Sequence, residues 1–270
     1  MNNKLNAVMD AKKTLLCVGL DSEYEKLPAS VKDEEYPQFT FNKKIIDATY
    51  EYVCAYKPNI AFYEARGEKG MNELKMTMDY LRKRYSDIFT ICDAKRADIG
   101  NTNKGYVTHI FDYLGFDAIT LHPYLGSEAL KPFLDRKDKA NIVLCRTSNK
   151  GAGELQDLEV NGEPLYMHVA RTVSEKWNTN KNCMLVVGAT YPEEMKQIRS
   201  VVGDMTFLVP GIGAQGGDVK KTVEAGLNSE KKGMIINSAR SIIFASGEED
   251  FAQKAGNEAQ LLRDEINKYR

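Results

Sequence analysis

Apolar and polar positions along this chain follow two alternating periods. Short, almost unbroken apolar runs end in a polar residue or Gly, and stretches with helical spacing separate them. Eight such runs are present: LLCVGLD (15–21), VCAYKP (53–58), IFTICD (88–93), DAITLHP (117–123), NIVLCRTS (141–148), CMLVVGA (183–189), TFLVPG (206–211) and MIINSAR (234–240). Their continuous apolarity predicts parallel strands covered by helices. Met71, Leu74, Met78, Leu81 and Tyr85 recur three or four apart, as one face of a helix requires. Ile45, Ile46, Thr49, Tyr50 and Val53 form a second stripe leading into the second strand, and Phe251, Leu261, Leu262 and Ile266 predict a closing C-terminal helix.

Eight strand–helix units in about 250 residues is the size of a (β/α)8 TIM barrel. No linker or low-complexity tract interrupts the series, so a single barrel domain over 1–270 is expected; an open doubly wound sheet is the alternative, and eight similar units favour closure. Two connections are long, 22–40 after the first strand and 149–164 after the fifth, and long loops in compact domains often serve as lids.

The composition, 43% hydrophobic and 28% charged, is that of an ordinary globular protein. Lys plus Arg number 37 against 38 Asp plus Glu, a net charge of −1, which excludes the electrostatic footprint of a nucleic-acid or anionic-membrane binder. Any anion must be captured locally. No stretch approaches the roughly 18 apolar residues of a membrane span, and the polar start MNNKLNAVMD lacks a secretory core, so a cytoplasmic location is expected. The five cysteines, Cys17, Cys54, Cys92, Cys145 and Cys183, are scattered through strand-like runs without a Cys-x-x-Cys, and read as small buried hydrophobes.

In a barrel of this kind the active site lies at the C-terminal ends of the strands. Those ends carry Asp21, Lys57, Asp93 with Lys95 and Asp98 beyond it, His122, Thr147 with Ser148, and Arg240. Strand seven runs into Pro210-Gly-Ile-Gly-Ala-Gln-Gly-Gly217 ahead of a helical pattern beginning near Asp218. A Gly-rich loop at a helix N-terminus lets backbone amides approach an anion, and Arg240 one strand later adds a bidentate donor, so a phosphate fits there. Alone, the same octapeptide could be only a tight turn. Asp93 and Lys95 are two apart and would share a side of an extended strand, whereas a solvated charged turn is the bland alternative. Convergence with Asp21 and Lys57 favours an electrostatic site, since opposite charges at about 4 Å interact by roughly 4 kcal/mol at an effective dielectric near 20. Lys95, flanked by carboxylates, would stay protonated, and so suits proton donation better than Schiff-base chemistry. His109 and His168 fall in helical stretches, while His122 could touch a ligand; Trp177 reads as helix packing. No cluster has metal-ligand spacing, and neither a Gly-x-Ser-x-Gly elbow nor a Walker loop is present.

Over nearly its whole length the chain resembles the orotidine 5'-monophosphate (OMP) decarboxylase family, particularly its longer-chain bacterial branch. The segment from Asp93 to Thr102, DAKRADIGNT, fits that family's D-x-K-x-x-D-I-x-x-T signature without departure. Pro210 to Gly217 resembles its phosphate loop, and Leu20-Asp21 and Lys57-Pro58 its first two strand ends. The resemblance implies a cofactor-free, metal-free decarboxylation of OMP to UMP by a homodimer. Lys57, Asp93, Lys95 and Asp98 would form the catalytic charge network, with Asp98 crossing into the partner's site. Asp21 and Lys57 would hold the ribose, joined by the partner's Asp98 and Thr102. Ser148 would read the pyrimidine, and Gly211, Gln215, Gly216 and Arg240 would hold the phosphate. Two rivals stand beside this reading. A sister sugar-phosphate decarboxylase or synthase would need Mg2+ and an acid at the end of strand two, where this chain has Lys57; a non-catalytic nucleotide-binding barrel would have no need of the charge tetrad.

Overall fold

The computed structural model describes residues 2–212 and 217–270. Gln215 and Gly216 of the Gly-rich loop therefore lie outside the described residues. The eight apolar runs all form strands: β1 (Leu16–Leu20), β2 (Ala55–Pro58), β3 (Phe89–Arg96), β4 (Ala118–Leu121), β5 (Ala140–Arg146), β6 (Cys183–Val187), β7 (Phe207–Pro210) and β8 (Met234–Ser238). Each pairs in parallel with its neighbours in sequence, and β8 returns to β1, so the sheet closes into a barrel. Closure follows from covering both sheet faces while leaving no edge strand with unpaired backbone groups. Every residue of β1, β2, β4, β6 and β8 is buried, and partial exposure appears on β3, β5 and β7 only toward their C-terminal ends.

The helices bury the predicted stripes. Gly67–Arg84 seats Leu74, Met78 and Leu81 in the core, and Pro37–Thr49 seats Ile45, Ile46 and Thr49. In the C-terminal helix Phe251–Asn267, Phe251 and Ile266 are buried, but Leu261 is 63% exposed, so the expected stripe is narrower there. The stripe is set by Ala255 and Ala259, small residues that let this helix lie close to the barrel. The N-terminal segment forms a helix, Asn2–Lys12, whose Leu5, Val8 and Met9 are buried. This helix was not among the elements expected from the sequence, although Leu5, Val8 and Met9 have the i, i+3, i+4 spacing of one helical face. The 22–40 connection holds two short helical turns before the helix at Pro37, and the 149–164 connection is a helical turn followed by a small antiparallel hairpin, Glu159–Val160 with Glu163–Pro164. All five cysteines are free and buried, and burial pushes the Cys54 and Cys145 thiols up to about 12, as befits packing residues. Among the described residues no helix is long and apolar enough to cross a membrane.

The segments that carry the site are clamped to the barrel by aromatic packing. The ring of Phe41, fully buried, stacks against Phe244 at 5.6 Å and Phe251 at 5.2 Å between centroids, joining helix Pro37–Thr49 to the chain that follows Arg240. Phe41→Ala should lower the unfolding free energy by about 3–5 kcal/mol, the usual cost of emptying a buried aromatic site. Urea denaturation checks this, and an unchanged midpoint at constant m-value would contradict it.

Candidate active site

The C-terminal ends of the strands surround a cavity of about 450 Å³. Asp21 follows β1, Lys57 sits near the end of β2, and Asp93 and Lys95 lie on β3; all four line the cavity together with Ser148, Gly211 and Arg240. Three cations and two carboxylates line it, a formal excess of one positive charge in a chain that is otherwise slightly acidic. The charge of the pocket therefore suits an anionic ligand. Two glycines allow the strand ends to converge. A Cβ on Gly19 would lie 2.6 Å from Cβ of Ala239, the residue before Arg240, and one on Gly188 would lie within 2.9 Å of the Ser148 backbone.

Lys57 is the hub. Its ammonium, 4% exposed, lies 2.7 Å from Asp93 Oδ2 and 3.8 Å from Asp21 Oδ1. Burial alone would lower its pKa, but Asp93 and Asp21 more than offset that and hold it above the ordinary lysine range. Burial would likewise raise Asp93, yet the ammoniums of Lys57 and Lys95 hold this carboxyl well below the usual carboxylate range, so it is ionised at neutral pH. Asp21 goes the other way: burial raises its pKa against the pull of Lys57, which is engaged more closely by Asp93. The buried Asp21 Oδ1 has no hydrogen-bond partner among the described residues. Its nearest charged neighbour is the Lys57 ammonium at 3.8 Å, and the Asp21 side chain lines the cavity.

Lys95 Nζ lies 2.6 Å from Asp93 Oδ1, and its side chain is half exposed to the cavity. The pairing matches the expectation, but the route to it differs. The extended run of β3 is interrupted at Lys95: the β3–β4 register shifts between Cys92 and Arg96, and Lys95 has φ of +46°. The two side chains meet across a bulge rather than along one strand face. Asp98 does not complete a second contact to Lys95. Its backbone is tied to Asn103, its Oδ1 accepts from the Ile99 amide, and neither Asp98 nor Thr102 lines the cavity of its own chain. Within one chain it is Lys57, not Lys95, that stands between two carboxylates.

His122 does not line the cavity either: its Nε2 lies 3.1 Å from the Ala97 carbonyl oxygen and ties β4 to the loop after β3. His109 stacks on Tyr113 in a helical segment, and Trp177 packs against the core. Asp218 caps the helix after the Gly-rich loop, its side chain accepting from the Lys221 amide at 2.9 Å. The long loop after β5 contributes Gln156, which accepts from the Thr147 amide and donates to the Thr147 hydroxyl at 2.9 and 2.8 Å. Buried Arg146 grips the same loop through Asp157 at 3.2 Å. Gln156, Asn59, Asn237 and Thr120 line the cavity although none stood out in the sequence. For Thr120 the one available signal was its place inside an apolar strand, where a hydroxyl needs a partner.

A closed parallel barrel with an ionic pocket at its C-terminal mouth defines an enzyme of the (β/α)8 class. Comparison with known proteins is more specific. The family model described as "Orotidine 5'-phosphate decarboxylase / HUMPS family" matches residues 14–255. The orotidine 5'-phosphate decarboxylase of Janthinobacterium sp. (strain Marseille) is 50% identical over 98% of this chain and 97% of its own. That of Flavobacterium johnsoniae is 48% identical over 94% of this chain and 93% of its own. The structure of Leishmania donovani OMP decarboxylase superposes with a TM-score of 0.84 at 38% identity, covering 99% of this chain and 97% of that one. The chain belongs to the orotidine 5'-phosphate decarboxylase / HUMPS family, and within it to the carboxy-lyases.

The raised pKa of Asp21 has a consequence for stability. A group whose folded pKa lies above its unfolded value binds protons more tightly when folded, so ionised Asp21 costs stability at neutral pH and the cost disappears as pH falls through the folded pKa. Asp21→Asn should therefore be more stable than wild type at pH 7, with the difference narrowing toward the ordinary carboxylate range. Denaturation midpoints across pH measure it; a variant less stable at pH 7 would show that the Lys57 contact outweighs desolvation.

Proposed function

We propose that this chain converts OMP to UMP and CO2 without metal or cofactor. The observation that carries the proposal is the chain of contacts Lys95–Asp93–Lys57–Asp21 at the barrel mouth of a protein whose relatives bear that enzyme's name. The C6–carboxylate bond breaks, CO2 departs, and the electron pair stays on C6, which has no adjacent carbonyl to accept it. Stabilisation must come from placed charge. The Lys95 ammonium answers the developing carbanion and then transfers its proton to C6, forming UMP. Ionised Asp93 keeps Lys95 in place and lies toward the departing carboxylate, which favours departure; repulsion of this kind adds to the stabilisation of the carbanion rather than replacing it.

The remaining side chains suit the rest of the nucleotide. Asp21 and Lys57, which line the cavity, would take the ribose hydroxyls, and Ser148, whose hydroxyl is uncommitted among the described residues, would read the pyrimidine. Arg240 makes no ion pair among the described residues and would hold the phosphate with Gly211, Gln215 and Gly216. Phosphate binding far from C6 can be used to order the loops around the charge network. A divalent cation held by Asp21 and Asp93 would meet the Lys57 ammonium already buried between them, which supports metal-free chemistry over the Mg2+-dependent sister reactions. Asp98 and Thr102 lie outside their own chain's cavity, beside Ile99, which is 60% exposed. That supports a homodimer in which each chain supplies these two residues to its partner's site.

Purified protein should consume OMP, followed as loss of its absorbance, at a rate indifferent to EDTA; UMP binding without turnover would leave a nucleotide-binding barrel, and loss of turnover in EDTA a metal-dependent enzyme. Lys95→Ala should lose about 10²-fold or more in kcat, the usual worth of a general acid, while still binding UMP. Retention of a tenth of wild-type kcat would exclude Lys95 as the donor. Shared sites predict complementation: Lys95→Ala and Asp98→Ala dimers are each nearly inactive, but a mixed dimer has one intact site. With random exchange half the dimers are mixed, so activity should recover to about a quarter of wild type in a two-fold dimer. No recovery despite demonstrated exchange would assign Asp98 to its own chain's site.

A further inference from the structure

Between the paired residues Cys92–Ile119 and Arg96–Leu121, β3 spends Asp93, Ala94 and Lys95 where β4 has Thr120 alone. A bulge of that kind leaves backbone amides without ladder partners, and a buried unpaired N–H is costly. Here one side chain resolves it. Thr120 Oγ1, 1% exposed, accepts from the Ala94 amide at 3.0 Å and from the Lys95 amide at 2.9 Å. Two accepted bonds fill both lone pairs of a hydroxyl, so its single proton must be donated. The acceptor is Asp93 Oδ1 at 3.0 Å, the same oxygen that receives Lys95 Nζ. One hydroxyl therefore holds the backbone of Lys95, in its left-handed conformation, and the counter-ion of the Lys95 ammonium.

We propose that Thr120 is a positioning residue for proton transfer, fixing Lys95 against Asp93 from both ends of the lysine. The proposal rests on the OMP decarboxylase reading. Thr120 makes no bond to Lys57, Asp21 or Arg240, so ribose and phosphate recognition should not depend on it.

Thr120→Val keeps the side-chain shape but can neither accept the two amides nor donate to Asp93. Its kcat for OMP should fall about 10- to 100-fold, the range expected when a reacting group is misplaced by an ångström or less, with KM for OMP and affinity for UMP within about threefold of wild type. Thr120→Ser, which retains the hydroxyl, should stay within about threefold of wild-type kcat. Amide hydrogen exchange, read independently of activity, should accelerate at Ala94 and Lys95 in Thr120→Val and not in Thr120→Ser. Should the valine variant fail to fold, Thr120→Cys, with its weak acceptor sulfur, carries the same comparison. An active wild type with undiminished kcat in Thr120→Val overturns the proposal, as do a serine variant as impaired as valine, a parallel loss of UMP binding, or unchanged exchange at both amides. A wild type that does not decarboxylate OMP defeats the functional reading instead, and the exchange comparison then still decides whether Thr120 holds the Lys95 backbone.

Discussion

The buried contact between Lys57 and Asp93 is the constraint on which the rest of the site depends. Two opposite charges withdrawn from water at the barrel mouth are tolerable only because each compensates the other, and removing one partner of such a pair typically costs about 3–5 kcal/mol. The pair fixes the protonation of both groups: Asp93 stays ionised and Lys57 stays charged despite burial. With Asp93 committed as an anion, Lys95 has a fixed counter-ion within 2.6 Å, and an ammonium is held at the cavity wall.

Preorganisation of this sort needs backbone held where a plain strand would not go. The β3 bulge turns Lys95 out of the strand and back onto Asp93, and β4 supplies the hydroxyl that satisfies the freed amides. Elsewhere convergence depends on missing side chains: Gly19 admits the segment leading to Arg240, and Gly188 admits Ser148. Groups from several strand ends thus meet in a cavity that none of them forms alone. This is the general economy of the barrel fold, in which stability resides in the buried strands and chemistry in their C-terminal ends.

The loop after β5 is tied to the barrel mouth by its own polar contacts. Arg146, buried at the strand end, reaches Asp157, and Gln156 clasps Thr147 through both its backbone and its hydroxyl. Those bonds bring Gln156 and Asn149 to the cavity rim beside Ser148. Among the described residues Arg240 makes no ion pair, while Lys57, Asp93 and Lys95 are already paired with one another.

The sequence by itself determined the eight strands, their parallel order and the cluster of charges at their ends, because apolar periodicity and strand-terminal polarity are local properties that burial enforces on every unit alike. DAKRADIGNT and the Gly-rich loop carried the family for the same reason: they are contiguous. What only the tertiary structure decided were the relations between units. Which lysine stands between two carboxylates depended on how β1, β2 and β3 converge, and Lys57 rather than Lys95 holds that place within the chain. The exposure of Leu261, the diversion of His122 to the Ala97 carbonyl, and the exclusion of Asp98 from its own cavity likewise follow from packing between segments distant in sequence. The apolar strand around Thr120 signalled only that its hydroxyl needs a partner; its role is set by register, since three residues of β3 face one of β4, and a mismatch between two strands cannot be read from either of them alone.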